Sequence, residues 1–158
     1  PAPKYFRLSP GKEVRLRGAY FVTATGFDTD ADGNVVEVQV TYDPETRGGN
    51  APDGRKVKST MHWVSAAHAV DATVALYDRM FTPEVPGETT GDPLDDLNPA
   101  SRELLVGAKV EPALAEVEPG QVIQFERLGY FAADPDEPMW FHRTVGLRDE
   151  WANIQKRG

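Results

Sequence analysis

The chain contains no cysteine, which excludes disulfides and thiolate metal sites and fits a reducing cytosol. It contains no run of about 18 apolar residues, so no membrane span is expected. The opening stretch PAPKYFRLSP has no apolar segment behind its charges, so it does not read as a secretory signal. No Asn-x-Ser/Thr acceptor for glycosylation occurs. The first residue is Pro1 rather than Met, as expected of a piece of a longer protein. No internal repeat is visible, and helical periodicity is scarce: only SAAHAVDA and LNPASRELL could be helical besides a turn or two near DEWANIQK.

Catalytic signatures are missing as well. There is no Gly-x-Ser-x-Gly, no phosphate loop and no dinucleotide fingerprint. No pair of carboxylates stands in an apolar setting that would separate an acid from a base. His62, His68 and His142 lack acidic or cysteine partners at ligand spacing, which favours structural roles over zinc. The stretch DTDADGNVVEVQ places Asp28, Asp30, Asp32 and Gly33 like a calcium loop. Its twelfth position is Gln39 rather than a bidentate Glu, and its flanks read as strands, so a hairpin tip is expected and no metal.

What is present is alternation. EVRLRGAYFVT reads as one strand, with Val14, Leu16, Tyr20 and Val22 on one face and Arg15, Arg17 and Phe21 on the other. VVEVQVTYD repeats the pattern with Val36, Val38, Val40 and Tyr42 inward, and the Asp-Gly turn between the two makes a hairpin. RKVKSTMHWVS, TVALYDRMF, ELLVGAKVE, VIQFERLGYFAAD and MWFHRTVGLRD read as further strands. Short strands at close spacing with 14 Gly and 13 Pro indicate an all-β chain of barrels or sandwiches, divided near HWVSAAH.

The net charge of -8 hides an asymmetry. Residues 1–17 hold five cations against one carboxylate, and residues 47–58 hold four against one. Residues 84–118 hold nine carboxylates against two cations. A polyanion could dock away from that acidic segment. On one strand Arg15 and Arg17 would project from a common face about 6.5–7 Å apart, near the spacing of successive phosphates. Tyr5, Phe6 and Phe21 lie nearby in sequence, and unstacked bases can lie on such rings. A plain solvated strand face accounts for the same residues.

The segments GKEVRLRGAY, DGRKVKSTMHWVSAAHA, LYDRMF, QFERLGYF and RTVGLRDEW, in this order, resemble the C-terminal anticodon-binding region of bacterial glutaminyl-tRNA synthetases, from about Tyr5 to Lys156. The related glutamyl enzymes share the region, and QFERLGYF favours the glutamine enzyme. The resemblance implies two consecutive small antiparallel β-barrels, similar to a ribosomal protein that binds 5S RNA. The first, incomplete barrel would span residues 1–60; the second, with a C-terminal tail, would span 61–158.

The resemblance further implies an anticodon-binding set of Lys4, Arg7, Arg15, Arg17, Gln124 and Arg127. Arg7 would read the third base, Arg15 and Arg17 would hold the first, and Gln124 with Arg127 would read the middle uracil. Lys12, Arg55, Lys56, Lys58 and Arg148 would face the tRNA backbone. Where the family has a lysine this chain has Phe6, and His142 replaces a more usual asparagine. The implied partners are glutamine tRNA and an upstream catalytic domain, with no DNA and no membrane, in the cytoplasm. No cofactor is expected in this chain; ATP and glutamine would belong to that catalytic domain, whose HIGH-like and KMSK-like motifs are not in this sequence. The upstream stretch would also complete the first barrel, which is expected to show an open edge. The competing readings are a glutamyl-enzyme module and a non-catalytic RNA-binding or protein-interaction β-barrel.

One expectation follows from alternation itself. On a regular strand Gln124 and Arg127 face opposite ways. Both can meet one base only if the strand ends or bulges near Glu126.

Overall fold

The computed structural model describes residues 8–147, which are all-β with short 3-10 turns and no α-helix. Lys4, Tyr5, Phe6, Arg7, Arg148 and the segment DEWANIQK lie outside the described residues. Two compact units divide the chain, Pro1–Trp63 and Val64–Gly158.

The first unit holds a four-stranded sheet in the order β3-β2-β1-β4. Its strands are β1 (Glu13–Leu16), β2 (Phe21–Thr29), β3 (Val35–Asp43) and β4 (Thr60–Met61). The stretch read as one strand is therefore two. β1 stops at Leu16 and a tight turn reverses the chain, with Gly18 at φ 68° where a side chain would be strained. Antiparallel pairing sets Val14 opposite Val22 and Arg15 opposite Phe21. β4 runs parallel to β1, and the long strand expected from Arg55 onward shrinks to two paired residues.

Val14, Phe21, Val22 and Ala24 are buried in the first unit. Thr46 is buried with them: its hydroxyl accepts the Phe21 N–H at 2.8 Å and donates to the Asp43 carbonyl at 2.7 Å. β3 departs from the expectation. Val36, Val38, Val40 and Tyr42 are 65%, 37%, 43% and 62% exposed rather than inward. They lie on an edge strand that pairs only with β2 among the described residues. Alternation marks an apolar face; it does not supply the layer that covers it.

The second unit holds a five-stranded sheet in the order β6-β5-β9-β8-β7. Its strands are β5 (Val70–Tyr77), β6 (Arg102–Val110), β7 (Val122–Phe125), β8 (Gly129–Ala133) and β9 (Trp140–Gly146). All pairings are antiparallel except β5 with β9. The segments that could have been helical are a turn leading into β5 and the start of β6. Ala72, Val74, Val110, Phe131, Ala133 and Phe141 form the core, with Phe125 stacked on Phe131 at 4.4 Å between ring centres. Neither sheet closes on itself among the described residues, as an incomplete barrel requires.

Candidate nucleic-acid interface

In the first unit the arginines meet different fates. Arg15 is half-buried; its guanidinium lies 4.8 Å from the Phe21 ring centre and donates to Asn50 Oδ1 at 2.8 Å. Phe21 itself is 0% exposed, so it cannot offer its ring to a base. The arginine face is thus no plain solvated strand face: it roofs a buried aromatic.

Arg17 is exposed but lies beyond the end of β1, so it is not the strand neighbour of Arg15 that the sequence suggested. Its backbone is held from both ends. The Arg17 N–H donates to the Met61 carbonyl at 2.9 Å, and its carbonyl accepts the Trp63 indole N–H at 2.9 Å. Trp63, to which the sequence alone assigns no role, remains 42% exposed beside it.

Arg55 is clasped by carboxylates. It donates to both oxygens of Glu13 at 3.0 Å, to Asp53 at 2.7 Å and to Asp43. The hydrogen bonds it donates to Glu13, then to Asp43 and Asp53, push its pKa above the ordinary arginine value. The same contacts hold the Asp43 carboxyl below its usual range, chiefly through the Arg55 side chain. For Asp53 the backbone N–H of Arg55 contributes most. The guanidinium also sits 5.6 Å from the Phe21 ring centre. Its positive charge is largely answered within the fold. Lys12, Lys56 and Lys58 are exposed.

In the second unit β7 ends at Phe125, and β8 begins at Gly129 directly opposite it. Glu126, Arg127 and Leu128 make the loop, closed by the Leu128 N–H donating to the Phe125 carbonyl at 2.9 Å. The strand end expected near Glu126 is there. Arg127 takes the third position of the turn with φ 66°, a conformation usually left to glycine or asparagine. Two features pin the loop. Phe125 is stacked into the core at its base. At Gly129 a Cβ would fall 2.4 Å from the Val145 carbonyl oxygen, so only glycine admits the close approach of β9. Gln124, the penultimate residue of β7, and Arg127 at the tip are both exposed on this one hairpin.

His68, His142 and the acidic hairpin take part in hydrogen bonds within the fold, whereas His62 is exposed. His142 links the Tyr77 hydroxyl at 2.7 Å to Asp134 Oδ2 at 2.6 Å. The bond to His142, then the N–H groups of Asp136 and Glu137, hold the Asp134 pKa at about 2. His68 Nδ1 meets Ser65 Oγ at 2.9 Å. Asp30 accepts the N–H groups of Asp32 and Asn34 at 3.0 and 2.8 Å, closing the tip between β2 and β3.

Two successive profiles match the chain. Residues 3–43 and 60–134 each match the tRNA synthetases class I (E and Q), anti-codon binding domain. The chain belongs to this anticodon-binding family. Similarity to individual members of the family runs its whole length. It is 53% identical to a glutamine–tRNA ligase of Nitrobacter winogradskyi, covering all of this chain and 28% of that protein. It is 52% identical to one from Rhodopirellula baltica over 98% of the chain and 26% of the relative. The Pseudomonas putida glutamine–tRNA ligase is 49% identical over 97% of the chain and 28% of its own length. The chain therefore spans about a quarter of the length of these family members. No helix among the described residues is long and apolar enough to cross a membrane.

Proposed function

We propose that this chain is the part of a glutamine–tRNA ligase that recognises the anticodon loop of glutamine tRNA. The observation that carries the reading is identity near 50% along the whole chain to proteins named glutamine–tRNA ligase. The chemistry is recognition. ATP and glutamine would be handled by a catalytic domain elsewhere in the ligase, acting in the cytoplasm.

In the second unit the hairpin of β7 and β8 would address the middle base. Gln124 offers both a donor and an acceptor, and Arg127 a planar fork of donors. In the first unit Arg15 and Arg17 would hold the first base. Arg15 is pre-set by Asn50 and Phe21, and Arg17 by the two clamps on its backbone. Lys12, Lys56 and Lys58 would meet phosphates. Arg55 is better assigned to the fold, because carboxylates already surround it. Lys4 and Arg7 at the anticodon, and Arg148 at the backbone, rest on the resemblance alone.

The test is a titration of the chain with glutamine tRNA and with the same tRNA carrying a different anticodon. Tighter binding of the glutamine anticodon is expected. If about four phosphates are neutralised, log K should fall against log salt with a slope near -3. Equal affinity for both tRNAs would remove the proposal.

A further inference from the structure

The second unit carries an apolar surface around Gln124 that the hydrogen-bonding reading leaves unused. Register places Tyr130 directly opposite Gln124, and Val145 opposite Tyr130. Directly paired residues share a face with Cβ atoms roughly 4.5–5.5 Å apart. That face is outward: the intervening Phe131 is 3% exposed, whereas Tyr130 is 41% and Val145 57% exposed. Val122 and Leu128 are also exposed nearby on the same hairpin.

The placement of Tyr130 is built in. A register shift separates Tyr130 from Phe131, and Thr144 donates from its hydroxyl to the Tyr130 carbonyl at 3.1 Å. Such irregularities re-aim side chains. Gly129, the residue before Tyr130, itself lies tightly against β9.

We infer that the Tyr130 ring is a stacking floor for the unpaired RNA base whose edge Gln124 and Arg127 address. A flat ring on the residue paired with a strand-borne amide suits a ligand with a π face and a hydrogen-bonding edge, which describes an unstacked nucleobase. The guanidinium at the hairpin tip adds the positive charge that a polyanionic strand requires. A protein partner would gain from the apolar rim, but only an acidic one would also use the positive charge at the tip. The inference rests on the proposed anticodon reading and adds to it a residue that holds the base without reading it.

The experiment uses the full chain and an anticodon stem-loop RNA bearing the glutamine anticodon, with binding followed by fluorescence anisotropy. Base–aromatic stacking predicts that Tyr130→Leu weakens binding by about five- to a hundredfold, while Tyr130→Phe stays within about twofold. The salt slope should not change, since no charge is removed. A second RNA carries an abasic middle position. On it wild type and Tyr130→Leu should bind alike, because the stacked base is gone. Urea unfolding of each variant reports on the fold. Should Tyr130→Leu be destabilised, Tyr130→Trp replaces it in the comparison and should bind the intact RNA at least as tightly as wild type.

Equal affinity of Tyr130→Leu and wild type for the intact RNA would overturn the inference. So would an equal loss by the Leu variant on the abasic RNA, or weaker binding by a folded Tyr130→Trp. Those outcomes leave the anticodon reading standing, provided wild type prefers the glutamine anticodon. A wild-type chain without that preference overturns both.

Discussion

Replacing Arg127 by glycine should make the second unit more stable while it erodes recognition. Arg127 holds φ at 66° in a turn. For a residue with a Cβ that left-handed conformation costs about 1–2 kcal/mol. Glycine removes the strain but gains freedom in the unfolded chain, an offset of about 0.4–1 kcal/mol. The ion pair with Glu126, at 4.0 Å between groups open to solvent, contributes little. The balance is a gain centred on about 0.8 kcal/mol and reaching about 1.6 kcal/mol at most, so a rise of roughly 3–6 °C in Tm is expected for a unit of this size. Arg127→Ala is the control: it keeps the same strained backbone, so its Tm should stay near that of wild type. In RNA titrations both variants should lose discrimination at the middle anticodon base, by about ten- to a hundredfold if a charge-assisted hydrogen bond is removed. Calorimetry supplies the Tm, and anisotropy titration of middle-base variants supplies the discrimination. A lower Tm for Arg127→Gly would refute the strain argument. Undiminished discrimination by Arg127→Ala would refute the base contact.

The buried Thr46 hydroxyl satisfies two backbone groups, so Thr46→Val, which keeps the shape, should cost about 1–3 kcal/mol in urea unfolding. Arg55→Ala should lower the Tm of the first unit, by leaving Glu13, Asp43 and Asp53 without their shared cation; the slope of log K against log salt should stay as in wild type. A shallower slope would instead make Arg55 a phosphate contact. Asp134 has its pKa lowered from 3.8 to about 2. It therefore contributes stability that is present above pH 3.8 and is lost as pH falls through about 2. Acid titration of Asp134→Asn should show a flatter pH dependence of stability across that window than wild type. Lys58→Ala should weaken RNA binding evenly across anticodons and make the salt slope about one unit shallower, read from anisotropy at several salt concentrations.

The sequence by itself determined the all-β character, through alternation and turn residues, because a strand's period of two is written locally. It also determined the family, and it called for a break near Glu126 if Gln124 and Arg127 are to meet one base, since they cannot share a face on an unbroken strand. Tertiary structure decided what local pattern could not. It put the reversal at Gly18 and so took Arg17 off the strand. It kept Phe21 on the face it shares with Arg15, as alternation had it, but buried the ring beneath Arg15 and Arg55. It left the apolar row of β3 exposed, because covering a face depends on what else packs there. Arg55 shows the reason most directly. Glu13 and Asp43 lie 42 and 12 residues away in sequence, and only folding brings those carboxylates to one guanidinium. In a linear reading that guanidinium was one more cation for a phosphate.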